Sequence, residues 1–363
     1  MAEAASALRP GTAMTVLGPV APEDLGIVMM HEHLLHDDVE RPCWYAPSDT
    51  AVREGWAEGP ITMERLGALR RSPFEMLENT RLTRQDPIEG ELARFREAGG
   101  GTVVEVTSHG LVPDPHGMKA IAQATGVHVV AGCGYYVEHV LPDGFEAWSV
   151  DDILARILSD VRDGLNGSGV RPGIIGEIGT SEPMTANEEK SLRAAGIAAV
   201  ETGLSVMVHL GMTTQQAFPA FRILTGEGVP ADRIIMNHMD EANDLDYSRR
   251  VADLGCIVEY DTFGSEWYYD SWGTYEPRDT ERVAAVAALC REGYADRITV
   301  SQDVFYKQNL RAYGGWGYSH FLDSMVPMLR QAGVSDDDLR LMTVETPRRL
   351  LTVAPPDSGA SAR

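Results

Sequence analysis

From about residue 98 onward, short β-branched runs recur at intervals of one helix plus one strand, and this rhythm constrains the fold more than any other feature. The runs are residues 101–107 (GTVVEVT), 126–133 (GVHVVAGC), 173–178 (GIIGEI), 205–209 (SVMVH), 233–238 (RIIMNH), 256–261 (CIVEYD) and 297–303 (RITVSQD). Residues 26–33 (GIVMMHEH) supply an eighth upstream. Strands that alternate with amphipathic helices pair in parallel, because each helix carries the chain back to the starting edge of the sheet. Eight such units can close on themselves, so the expected fold is α/β, a single (β/α)8 TIM barrel over residues 16–353. Residues 1–15 read as a flexible N-terminus and 354–363 as a disordered tail.

Local signals agree with this order. Thr185 and Glu188 have the spacing of a capping box, an apolar-periodic stretch follows to Val200, and Gly203 stands where the helix should end. Further helices are expected near 245–254, 279–292, 319–333 and 335–351. Residues 34–100 carry no strand signal, and their Pro, Trp and charged residues suggest helices and loops over one mouth of the barrel.

A chain of 363 residues could hold two domains, but barrels of this kind exceed the usual domain size as one unit. Acidic residues outnumber basic ones 54 to 31, a net charge of -23 that repels nucleic acid and anionic membranes, so a small-molecule substrate is expected. Cys43, Cys133, Cys256 and Cys290 show neither zinc-knuckle nor disulfide-framework spacing and read as reduced, packed thiols. The N-terminal residues lack a basic start with an apolar core, and nowhere do about 18 apolar residues run together, which gives a cytoplasmic expectation.

The chemistry concentrates at strand ends. His31 and His33 stand at i and i+2 on the first strand, a spacing that sends both imidazoles to one face. Glu177, His209 and His238 end three consecutive strands, 32 and 29 residues apart, about one βα unit each. Asp303 ends the last strand 65 residues after His238, with 256–261 as the strand between. In a (β/α)8 barrel the C-terminal strand ends form the active-site face, so these six scattered residues would converge. Nitrogen and oxygen donors of this kind suit Zn2+, Mn2+ or Co2+.

The strand-one MHEH, the GEIGTSE segment, the VHLG and NHMD strand ends, the SQD of strand eight and the following GGWGYSH resemble the phosphotriesterase-like branch of the amidohydrolase superfamily. The likeness runs from about Val16 to Leu351 and is closest to the phosphotriesterase-related proteins, through Glu177 and EYDTFGSE followed by DTERVAA. Relatives that act on phosphotriesters and lactones place a carboxylated lysine on this strand. The matching position here is Glu177, which implies a site that assembles without added bicarbonate.

The resemblance implies a binuclear centre of two divalent ions, Zn2+ foremost, with Mn2+ or Co2+ as alternatives. It assigns His31, His33 and Asp303 to one metal, His209 and His238 to the other and Glu177 to both. A hydroxide held between the metals would attack the carbonyl of a carboxylic ester, a lactone or an N-acyl amide, and Asp303 would pass its proton to the leaving group. A phosphotriesterase or phosphoesterase is the second reading, and an inactive metal-binding barrel the third. A homodimer paired through loops at the barrel mouth is also implied.

Substrate contacts are expected from Tyr135 and Tyr136 after strand three and from Trp267 and Tyr268 in the aromatic loop 266–275. That loop could equally pack at a subunit interface. Lys307 and Arg311 could meet an anionic substrate group or simply lie at the surface. Val112, Pro113 and Thr346 depart from the common family pattern, in loops rather than at ligand positions.

Overall fold

In the computed structural model, which describes residues 8–37, 43–269 and 273–355, eight parallel strands follow in the expected order. They are β1 (Ile27–Glu32), β2 (Gly100–Glu105), β3 (His128–Ala131), β4 (Ile175–Gly179), β5 (Val206–His209), β6 (Ile234–Met236), β7 (Ile257–Tyr260) and β8 (Ile298–Val300). The crossovers carry helices α1 (Gln85–Glu97), α2 (Pro115–Thr125), α3 (Val150–Asp163), α4 (Ala186–Thr202), α5 (Ala217–Gly226), α6 (Leu245–Ala252) and α7 (Asp279–Arg291).

The sheet forms two arcs, β1-β2-β3 and β4-β5-β6-β7-β8, joined at two seams. At one, Gly173 and Gly176 donate backbone bonds to Ala131 (2.8 Å) and Cys133 (2.7 Å), joining β3 to β4. At the other, between β8 and β1, the Asp303 amide donates to the His31 carbonyl at 3.3 Å and Ser301 Oγ accepts from the His31 amide at 3.0 Å. The fold is therefore a closed (β/α)8 barrel.

Alternation along each strand sorts the core. Val104, Val130, Met207, Ile235 and Ile257 meet in one buried cluster, while Val103, Val129, Val206, Ile234 and Val258 pack into another shared with the helices. Helix α4 begins as expected, with Thr185 and Glu188 closing a reciprocal cap, and it ends at Gly203 with φ 74°. The Gly203 backbone is left-handed, where a side chain would be strained, and an added Cβ would meet the Ala354 carbonyl at 2.1 Å.

Two details differ from expectation. Residues 13–15, placed in a flexible N-terminus, pair with Gly18–Val20, and Ala13 is buried in the inner cluster. This hairpin gives the N-terminal end of the barrel an apolar plug, and only residues 1–7 of that segment lie outside the described residues. The tail at 354–363 also lies mostly outside them, while the Ala354 amide bonds to the Gly203 carbonyl at 2.9 Å. Each of the two C-terminal helical stretches contains a wide π turn, Phe321–Met325 at the start of one and Leu341–Glu345 between Asp336–Arg340 and Thr346–Leu351 in the other, followed by proline, Pro327 or Pro347. A proline ring removes a backbone donor and crowds the carbonyl four residues back, and a widened turn relieves that clash.

Residues 43–80 contribute only short helices, Asp49–Arg53 and Leu66–Arg71, and 3-10 turns, as expected of a cover over the barrel mouth.

Candidate metal centre

The candidate ligand side chains stand where the sheet abandons its alternation. Pairing of β1 with β2 shifts register between Met29 and Glu32, around His31, and pairing of β4 with β5 shifts between Ile175 and Ile178, around Glu177. His238 and Asp303 take left-handed backbone at φ 58° and 47°. Bulges and left-handed residues re-aim side chains, and they cluster at functional sites because the surrounding structure must hold them.

Glu32 provides that support for Asp303. Lying between His31 and His33, it accepts from Ser301 Oγ at 2.7 Å and from the backbone amides of Gln302 (3.1 Å) and Val304 (2.9 Å). Those amides flank Asp303, so one buried carboxylate fixes the turn that aims it.

The donors converge on Glu177. Its Oε2 lies 2.9 Å from His209 Nδ1, 3.3 Å from His238 Nε2 and 3.4 Å from His31 Nε2, and the same two nitrogens of His209 and His238 are 2.9 Å apart. Asp303 Oδ1 stands 3.3 Å from His33 Nε2 and 3.7 Å from His31 Nε2, and His33 Nε2 is 4.0 Å from Glu177 Oε1. Ligands about 2.0–2.2 Å from one metal ion are separated from each other by spacings of this size.

Proton positions follow from the outer partners. Thr107 Oγ1 donates to Glu105 at 2.5 Å and so accepts from His33 Nδ1 at 2.9 Å, leaving Nε2 with its lone pair toward the centre. Asp261 engages His238 Nδ1 at 3.0 Å and lies 3.1 Å from His31 Nδ1, so one carboxylate orients an imidazole in each half of the cluster. This is how metal-binding imidazoles are commonly fixed. His209 differs, presenting Nδ1 to Glu177 while Tyr136 Oη approaches its ring at 3.2 Å.

The cluster fits divalent cations. His31 Nε2, Glu177 Oε1 and Asp303 Oδ1 are buried, and among the described residues they have no hydrogen-bond partner. Burial alone would lower the His31 pKa, but Glu177, Asp261 and Asp303 raise it to about 10. Burial also opposes ionisation of Glu177, yet His209 and His31 hold it well below the usual carboxylate range. Protons gathered so strongly mark a place where cations could take over the same charge.

A cavity of about 550 Å3 opens above these residues. Tyr136 and Trp267 line it as expected, with Tyr269 of the same aromatic loop, joined by Trp44, Phe74, Phe305 and Tyr306, which the sequence did not single out. Tyr135 does not line it: its ring packs against Phe145 and Trp148 at 5.1 and 5.8 Å, on the opposite side of the chain. Tyr268 also points away and lies beneath the Arg71 guanidinium at 5.0 Å, because residues 268–269 pair with 274–275 and successive residues alternate. Trp272 falls outside the described residues.

Lys307 and Arg311 do not line the cavity either. Lys307 is buried against Glu78, and Arg311 bonds Asp323 at 2.9 Å and Ser319 at 2.7 Å. Both cations are committed to neighbouring protein groups. The partners overlooked in sequence, Asp261 and Glu32, had one visible signal: Asp261 ends its strand as Asp303 was expected to end the next, and Glu32 alternates with both histidines.

A model of the Phosphotriesterase family matches residues 11–351. An N-acetyltaurine hydrolase of Salmo salar is 36% identical over 349 residues, covering 94% of this chain and 98% of that protein. Among solved structures, a resiniferatoxin-binding protein from Rhodobacter sphaeroides superposes with TM-score 0.91 at 37% identity, over 95% of this chain and 96% of that one. The phosphotriesterase homology protein from Escherichia coli, solved with phosphate in its active site, gives TM-score 0.75 at 27% identity, over 91% and 99% of the two chains.

Proposed function

Because the chain belongs to the phosphotriesterase family, we propose that it is a binuclear metal hydrolase that cleaves a carboxylic ester, a lactone or an N-acyl amide. The observation that carries this reading is the convergence of four imidazoles on Glu177, with Asp303 beside two of them and imidazole protons directed outward by Thr107 and Asp261. In this reading His31, His33 and Asp303 hold one ion, His209 and His238 the other, and Glu177 both. Zn2+ is the favoured ion, and Mn2+ or Co2+ would suit the same donors.

When bound, two such cations lower the pKa of water to near neutral and polarise the scissile carbonyl. The chain's own groups do the rest. Asp303, whose side chain is 24% exposed against 2% for Glu177, takes the proton released as the new C–O bond forms. It returns that proton to the nitrogen or oxygen whose bond to carbon breaks. Tyr136 reaches the same space with its phenol and can donate to the substrate carbonyl. Trp44, Phe74 and Tyr306 offer an apolar wall that keeps water from the bound acyl compound.

The N-acetyltaurine hydrolase relatives support an amide among these carbonyl substrates. A phosphoesterase is the second reading, favoured by the phosphate in the Escherichia coli neighbour. Steady-state assays of the metal-loaded protein on ester, lactone, amide, phosphomonoester and phosphotriester panels separate them: carbonyl substrates should turn over, and hydrolysis of phosphoesters alone would overturn the leading reading.

The reading also includes a homodimer paired at the barrel mouth, where Trp316 and Tyr275 are exposed, and a cytoplasmic enzyme, for which four buried cysteines are suited. Among the described residues no helix is long and apolar enough to cross a membrane. Sedimentation showing a monomer would remove the dimer.

A further inference from the structure

Two stretches that carry no proposed metal ligand, residues 263–267 after β7 and 314–320 after β8, meet around a second cavity of about 410 Å3. That volume lies within the range of small-molecule sites. Among the described residues Trp267 alone lines both this cavity and the one above the candidate metal centre, so the two are neighbours but separate.

One wall is closely built. Trp316, between Gly315 and Gly317, stacks on His320 with ring centroids 4.9 Å apart, and the tryptophan remains 59% exposed. Gly264 backs this pair, since an added Cβ would meet His320 at 3.2 Å and Trp316 at 3.3 Å. The Asp279 carboxylate ties the parts together, accepting from the Gly264 amide at 2.9 Å and from His320 Nε2 at 2.7 Å.

Two polar side chains lining the cavity have unmatched atoms. His320 gives its Nε2 proton to Asp279, so in the neutral ring Nδ1 presents a lone pair, and that atom has no hydrogen-bond partner among the described residues. Neither Nε2 nor Oε1 of Gln308 has one. Both residues are more than nine-tenths buried, where an unmatched donor or acceptor costs stability. Matching them takes one carbonyl for the Gln308 amide hydrogens and two N–H groups, for Gln308 Oε1 and His320 Nδ1. Net charge is not called for: Arg70 and Glu266, which also line the cavity, are one of each sign and already bond the Gly314 carbonyl at 3.2 Å and the Asp279 amide at 2.9 Å.

We propose that this cavity binds a planar, uncharged ring bearing adjacent C=O and N–H groups, a cyclic amide or imide, at a site separate from the hydrolytic centre. The polar edge of the ring meets Gln308 and His320, and its face lies against the indole of Trp316. The proposal does not depend on the hydrolase reading.

Calorimetry on the metal-loaded protein with uracil and with 1,3-dimethyluracil, which lacks both N–H groups, tests this. Uracil should bind at least about tenfold more tightly. Gln308→Leu should weaken uracil binding by about tenfold without lowering Tm, because an unmatched amide does not hold the fold together. Trp316→Ala, a change at the surface, should weaken binding of both compounds. Equal affinity for the two rings, or uracil affinity unchanged in both variants, would overturn the proposal. Uracil should also leave KM for an ester substrate unchanged, and a competitive pattern would put it in the metal cavity and overturn the separate site.

Discussion

The candidate metal ligands and the aromatic wall occupy the same barrel mouth, yet they are held in different ways. His31, His33, Glu177 and His209 belong to strands or their immediate ends, and two of them, His33 and His31, are fixed again from behind by the buried Thr107 and Asp261. The wall is assembled from segments far apart in sequence: Trp44 and Phe74 from the cover, Tyr136 after β3, Tyr269 after β7 and Phe305 after β8. These rings are held mainly by one another. The difference places the chemistry on the rigid sheet and leaves substrate shape to loops that can change without disturbing it, which is the general advantage of this fold.

Breaking the sheet-borne part should cost most. Asp303→Asn keeps the side-chain volume but removes the proton acceptor, and kcat should fall by about 10²–10⁴-fold with a smaller change in KM. Stopped-flow or steady-state assays would show it, and a loss confined to KM would mean that Asp303 serves binding alone.

An intermediate effect is expected one layer out. Asp261→Asn weakens its hold on His31 and His238 together, so metal affinity should drop by about 10–100-fold while excess metal restores much of the activity. Chelator titration checks this. Unchanged affinity would show that Asp261 does not orient the two imidazoles.

The smallest effect sharpens the comparison within one loop. Tyr136→Phe should lower kcat/KM by about tenfold through one lost hydrogen bond, whereas Tyr135→Phe should leave it unchanged because that ring packs away from the cavity. Equal losses in both variants would contradict the division between the two faces.

The same contrast decides what could be read from the chain. Strand ends obey a period, so Glu177, His209 and His238, spaced by about one βα unit, could be brought together before any geometry was known. The eight strands were legible for the same reason. Asp303 was anticipated at a strand end but stands in a left-handed turn beyond Val300, a conformation created by Glu32 from another strand. The wall was poorly legible: Trp44 and Phe74 lie where no periodic pattern guides a reader, and their approach to Tyr269 is a long-range packing event. Tyr268 and Lys307 mislead for a related reason, since residue type suggests a contact while alternation or a buried partner turns the side chain elsewhere.

Metal content per chain, measured by elemental mass spectrometry on wild type and Glu177→Ala prepared without added bicarbonate, tests the bridged centre most directly. The account predicts about two divalent ions in the wild type and a clear loss of both metal and hydrolysis in the variant. Metal-free wild type that still hydrolyses substrate, or a Glu177→Ala protein unchanged in metal content and activity, would contradict it.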